Sequence, residues 1–144
     1  MGIKILLING PNLNLLGTRE PDVYGKIDLN KVESQLKTTA QNKGYELTCH
    51  QSNHEGSIID FIHENKLADY LIINPGGLTH TSVSLRDALS AVKIPFIEVH
   101  ISNTHAREEF RHRSYLSGLA SGIIIGCGIE GYGLALDLII RRLS

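Results

Sequence analysis

Tyr70-Leu71-Ile72-Ile73-Asn74-Pro75-Gly76-Gly77-Leu78-Thr79-His80 decides the fold. A short apolar run is closed by Asn-Pro-Gly-Gly, the punctuation that ends a strand. The same design recurs upstream, where Ile3-Lys4-Ile5-Leu6-Leu7-Ile8-Asn9 reads as a buried strand running into Gly10-Pro11-Asn12. Between these two, Asp28 is placed as an N-cap, and Leu29, Val32, Leu36 and Ala40 recur at helical spacing before Gly44. Glu46 to Gln51 reads as another strand, and Ile58, Ile59 and Ile62 mark a helix ending near Asn65. Downstream follow a helix over 83–92 terminated by Pro95, a strand over 96–100, a strand over 121–125 and a closing helix over 134–143.

Strands that alternate with helices need crossover connections, so the sheet is expected to be mostly parallel. Five of them predict a flavodoxin-like, doubly wound α/β fold of three layers, with residues 1–144 forming one domain. The 144 residues suit that, being enough to bury about 68–70% of the unfolded surface. With 42% apolar and 20% charged residues the chain is no disordered segment. Fourteen Lys and Arg against fifteen Asp and Glu leave a net charge of −1, which argues against a duplex-binding surface. No stretch reaches the roughly 20 apolar residues of a membrane span, and the first residues do not read as a signal peptide. Two cysteines, Cys49 and Cys127, are too few for a disulfide framework, and the expected compartment is the cytoplasm.

Ligands of open parallel sheets bind outside the carboxyl ends of the strands. Here those ends carry Asn9-Gly10-Pro11-Asn12, Ser52-Asn53-His54-Glu55-Gly56, Asn74 to His80, and His100-Ile101-Ser102-Asn103. One such loop is an ordinary turn. Four on one edge, each carrying amides, hydroxyls or imidazoles, point to a site. The long connection from Gly10 to Lys26 has the length of a binding loop or lid.

Other signals are weaker. Gly126-Cys127-Gly128-Ile129-Glu130-Gly131 is a literal G-x-G-x-x-G, but the dinucleotide reading asks for a further strand and a later acidic residue. The sequence runs only to Ser144, so the motif is read as a tight turn and a close helix packing. Cys49 and His50 are adjacent on a strand and point to opposite faces, so with His54 they make a poor metal set. Arg107, Glu108, Glu109, Arg111 and Arg113 have the look of a solvated, charged helix face.

Taken in order, seven blocks become specific. Gly10-Pro11-Asn12-Leu13-Asn14-Leu15-Leu16-Gly17, with Arg19-Glu20-Pro21 and Tyr24-Gly25, resembles the opening signature of the type II 3-dehydroquinate dehydratases. Gln51-Ser52-Asn53 with Glu55-Gly56, Asn74-Pro75-Gly76, Thr79 to Ser82, Leu85 to Ala88, Glu98 to Asn103 and Arg107 to Arg111 also match that family. Gly77 stands where many members carry alanine. The resemblance covers essentially the whole chain.

It implies dehydration of 3-dehydroquinate to 3-dehydroshikimate by anti elimination through an enolate, without metal, cofactor or Schiff base. Such chemistry needs a base for a carbon acid, a donor for the leaving hydroxyl and a hold on the enolate oxygen. Tyr24 is carried over as the base and Arg19 as the cation that favours its phenolate. An unperturbed phenol has a pKa near 10, and bringing it to about 8 asks for about 2.7 kcal/mol. His100 is carried over as the proton donor, and Asn12 as the holder of a water against the enolate oxygen. Substrate binding falls to Asn74, His80, Ile101, Ser102 and Arg111, and to Asp87 reaching in from a neighbouring subunit. Arg107 supports the closed lid. Glu98 lies two residues back on the strand face of His100 and is expected to orient its imidazole. The lid is placed around residues 17–26, and the resemblance implies a dodecamer of four trimers. The rival reading is a flavodoxin-like or receiver-like binding module without catalysis. Asn9 and Asn74 stand where a receiver needs acidic residues, and Gly10-Pro11-Asn12 does not resemble a flavin phosphate loop.

Overall fold

The computed structural model describes residues 2–18 and 27–144. Arg19, Tyr24 and most of the predicted lid segment lie outside the described residues.

Five strands, β1 (Lys4–Asn9), β2 (Glu46–Gln51), β3 (Tyr70–Asn74), β4 (Phe96–His100) and β5 (Gly122–Ile125), form one parallel sheet in the order β2-β1-β3-β4-β5. That is the flavodoxin-like order, as expected. Four α-helices, α1 (Leu29–Asn42), α2 (Glu55–Glu64), α3 (Val83–Val92) and α4 (Glu130–Leu143), cover it. Consecutive strand residues point to opposite faces, which gives two cores. Ile5, Leu7, Ile72, Ile97 and Val99 pack against Val32 and Leu36 of α1 and Ala135 and Ile139 of α4. Leu6, Ile8, Leu71, Ile73 and Phe96 pack against Ile58 and Ile62 of α2 and Leu85 and Leu89 of α3. Each such side chain contributes roughly 1.5–3 kcal/mol when fully buried.

Local signals agree with these elements. The Asp28 carboxylate accepts from Lys31 N–H at 2.9 Å and caps α1. Ser82 does the same for α3 through Leu85 N–H at 2.8 Å. Helix α3 ends at Val92 as expected, closed by Lys93, which turns left-handed at φ 59° two residues before Pro95. Two expectations need correction. The closing helix begins at Glu130, a turn earlier than expected, because Gly131 and Gly133 obscured its first turn. The charged segment 107–113 is not a helix face, since it holds only a short 3-10 turn over Glu109–His112.

Among the motifs without chemistry, Gly126 and Gly128 sit at φ 82° and 66°, and Gly131 packs against Val99 and Ile124. This is the tight turn and close packing expected of them. His50 is half-buried and stacks on Phe61 at 4.5 Å. Cys49, on the other face, has its thiol pushed up to about 12, first by burial and then by the charge of Glu33.

The exits of β1 and β3 are fastened together. Gly10 N–H donates to Asn74 O at 2.8 Å, and a Cβ on Gly10 would lie 2.3 Å from Pro75 O. Gly10→Ala is therefore expected to cost about 1–3 kcal/mol through overpacking. The midpoint of denaturant unfolding measures it, and an unchanged midpoint would show that the two loops can part freely.

Candidate active site

The chain reverses its direction of winding between β1 and β3, and a doubly wound sheet opens a crevice there. A cavity of about 180 Å³ occupies this crevice, lined from β1 by Asn12, from β3 by Asn74 and His80, and from β4 by His100, Ile101 and Ser102. Arg107 and Arg111 close it from the loop beyond β4. Eight of the predicted site residues thus meet in one place. Its size suits one small ring rather than a drug-sized ligand, for which about 300–1,000 Å³ is usual. A wider, open groove of about 1180 Å³ between α1 and α4 holds none of the predicted residues. Asp87 does not line the cavity; it is exposed on α3.

Phe96, Glu98 and His100 share one face of β4, so the carboxylate of Glu98 lies directly behind the imidazole of His100. The two meet at 2.5 Å, with Nε2–H donating to Oε2, and Glu98 is wholly buried. A buried carboxylate is tolerable only when its lone pairs are used. Here Oε2 also accepts from Thr79 Oγ1 and Ser114 Oγ, each at 2.9 Å, and Oε1 accepts from Ser117 Oγ at 2.8 Å. Burial pushes the Glu98 carboxyl up. The hydrogen bond and charge of His100, with the hydroxyls of Ser117 and Ser114, outweigh it and hold the group below the ordinary glutamate value. The bond to Glu98 occupies Nε2 and leaves Nδ1 as the other ring nitrogen of His100.

His80 is half-buried, and its Nδ1–H donates to Arg113 O at 2.7 Å, which leaves Nε2 unprotonated in the neutral ring. Asn12 adopts φ 71°, a left-handed geometry that asparagine tolerates better than most residues. Its N–H donates to Asn53 Oδ1 at 2.9 Å, so the polar exit of β2 braces that of β1. Ser102 Oγ accepts from Arg107 Nη1 at 3.2 Å. Arg111 Nε donates to Glu108 Oε1 at 3.0 Å, and this contact holds the exposed Glu108 carboxyl below the usual range. Gly126 N–H and Gly128 N–H donate to the carbonyls of His100 and Ile101, each at 3.0 Å. The glycine motif therefore pins the backbone where β4 leaves the sheet.

The hydroxyls of Ser114 and Ser117 were not foreseen as part of the site. Their spacing of three residues in a tight turn was the only signal available.

The comparisons with known proteins bear on a site of this composition. The family described as Dehydroquinase class II matches residues 3–140. The chain belongs to the class II dehydroquinase family. "Catabolic 3-dehydroquinase 1" of Fusarium vanettenii is 59% identical over 99% of this chain and 100% of its own length. "3-Dehydroquinate dehydratase" of a Janthinobacterium species is 57% identical over 99% and 100% respectively. The crystal structure of the type II dehydroquinase of Butyrivibrio crossotus superposes with a TM-score of 0.93 at 46% identity, covering 96% of this chain and 98% of that one. The likeness to these class II dehydroquinases spans every element that builds the cavity.

Proposed function

We propose that this protein is a 3-dehydroquinate dehydratase, a lyase that removes water from 3-dehydroquinate through an enolate. One observation supports this best: a histidine held by a buried, ionised glutamate borders a small cavity rich in amides and hydroxyls. The substrate is a small anionic ring carrying hydroxyls and a ketone. The backbone N–H groups of Ile101 and Ser102, with the Ser102 hydroxyl, are read as the carboxylate cradle. Asn74, His80 and Arg111 are read as partners of the ring hydroxyls.

In this reading Tyr24, as phenolate, takes a proton from C2. The electron pair of that C–H bond moves into the ring, and the C3 carbonyl oxygen becomes an enolate. A water held by Asn12 donates to that oxygen. The enolate then collapses, the C1–O bond breaks, and the departing hydroxyl takes a proton from His100 to leave as water. His100 delivers that proton from Nδ1 while Nε2–H stays on Glu98, so the ring ends neutral with its orientation kept. Arg19 favours the phenolate, and Arg107 supports closure of the 17–26 segment over the bound ring. No metal or cofactor enters the scheme.

Asp87, exposed on α3, is read as reaching the cavity of a neighbouring copy in a dodecamer built from trimers. Its exposure, and its absence from the lining of its own cavity, favour that reading. Among the described residues no helix is long and apolar enough to cross a membrane, and we place the reaction in the cytoplasm.

The test is direct. Purified protein given 3-dehydroquinate is expected to produce the ultraviolet absorbance of a conjugated enone, and borohydride added with substrate is expected not to inactivate it. Absence of the enone would overturn the reading, and borohydride inactivation would replace the enolate with an imine.

A further inference from the structure

Deep in the larger core, one hydroxyl joins two strand ends. Tyr132 of α4 is wholly buried, and its O–H donates to Asn9 Oδ1 at 2.5 Å. The same oxygen accepts from Asn74 Nδ2 at 2.9 Å. Asn9 ends β1 and is wholly buried, and Asn74 ends β3 and borders the cavity.

The direction of this chain follows from a neighbouring backbone group. Gly76 N–H donates to Asn74 Oδ1 at 3.2 Å. Turning the Asn74 amide over would set Nδ2 against that N–H, donor against donor. Nδ2 must therefore face Tyr132, whose one hydrogen then goes to Asn9 Oδ1. Turning Asn9 over would leave the tyrosine hydrogen without an acceptor. Asn9 Nδ2 has no hydrogen-bond partner among the described residues, although leaving a buried donor unpaired costs roughly 1–3 kcal/mol. The position thus keeps an amide for its oxygen alone. Burial pushes the Tyr132 hydroxyl up, so it remains a donor throughout the pH range in which the protein works.

A primary amide has two N–H donors and two acceptor lone pairs. In Asn74 one N–H is taken by Tyr132 and one lone pair by Gly76. One of each remains, side by side, which matches a hydroxyl group that accepts one hydrogen bond and donates another.

We propose that Tyr132 is a positioning residue which, anchored on Asn9, sets the Asn74 amide at the angle that takes a ring hydroxyl of the substrate. This rests on the reading of the cavity as a 3-dehydroquinate site with Asn74 among its ligands. The proposal extends the site to α4, whose only other part in it is the glycine turn that precedes it.

The experiment is a double-mutant cycle in the full-length protein, with 3-dehydroquinate as substrate. Tyr132→Phe is expected to raise KM about 5–20-fold and to change kcat less than about 3-fold, the size of one misdirected hydrogen bond. In the Asn74→Ala background the same substitution is expected to change KM less than about 2-fold, because its effect passes through that amide. A merely structural tyrosine would lower the active fraction and would act equally in both backgrounds. Asn9→Leu keeps the phenol and removes its acceptor, so it provides a second route should Tyr132→Phe fold poorly; KM is expected to rise about 3–10-fold. An unchanged KM in either variant, or equal effects in both backgrounds, would overturn the proposal. A wild-type protein without turnover would remove the reading of the cavity and this inference with it, an outcome distinct from an active wild type with an indifferent Tyr132.

Discussion

Tyr24→Phe lowers kcat by about 10²–10⁴ while the substrate dissociation constant stays within about threefold of wild type. The first figure is the usual contribution of a positioned general base. The second follows because phenylalanine keeps the ring and loses only the oxygen that takes the proton. Stopped turnover with intact binding separates a base from a residue that merely seats the ligand. Arg19→Met complements it, moving the ascending acid limb of activity to higher pH because the cation read as favouring the phenolate is gone. Turnover at the wild-type rate in Tyr24→Phe would overturn the proposed mechanism, whatever else the site does.

Glu98→Gln is expected to lower kcat by about 10²–10³, most of what a positioned acid contributes. The substitution keeps the shape and the acceptor oxygen that Nε2–H of His100 requires. It removes the charge, and with it the partner of the protonated ring. The hydroxyls of Thr79, Ser114 and Ser117 can rotate to meet an amide, so the fold is expected to survive with a loss of about 1.5–3 kcal/mol at neutral pH, the value of hydrogen bonds to a charged group. The pH dependence separates charge from shape. The carboxyl of Glu98 titrates below the ordinary glutamate value in the folded chain. Its contribution to stability is therefore fully present above the unfolded value of about 4.3 and is lost as pH falls through the lower, folded one. Denaturation of wild type and variant should accordingly differ at neutral pH and converge in acid. A kcat within twofold of wild type would remove Glu98 from the mechanism, and a stability gap that persists in acid would mean the glutamate acts by packing.

Much of this architecture can be read from residue order. β3 and β4 lie where their apolar runs predict, because a strand buried on both faces leaves a short, bounded signature. The polar strand ends led to the cavity because the winding rule of such sheets brings them to one edge. The segment from Ile101 to Ala120 was less legible. It is held by single long-range hydrogen bonds, such as Tyr115 N–H to Thr79 O at 2.8 Å, and these leave no period in the sequence. Ser114 and Ser117 were missed for the same reason, since they meet Glu98 across 16 and 19 residues of chain. Lys93 escaped notice because a left-handed helix end usually advertises itself with glycine. Tyr132 was invisible as part of the site, being one more large residue on the inner face of an amphipathic helix.

The span of the Tyr132 contacts has a consequence for biosynthesis. Its hydroxyl meets Asn74 across 58 residues and Asn9 across 123. On a ribosome adding about 5–20 residues per second, the first strand end waits many seconds for its buried partner. Until α4 docks, the nascent chain carries an unfinished pocket, and docking of that helix completes it at one stroke. Enzymatic activity then doubles as a report that α4 has docked on the sheet, and fragments truncated before Glu130 are expected to be catalytically silent.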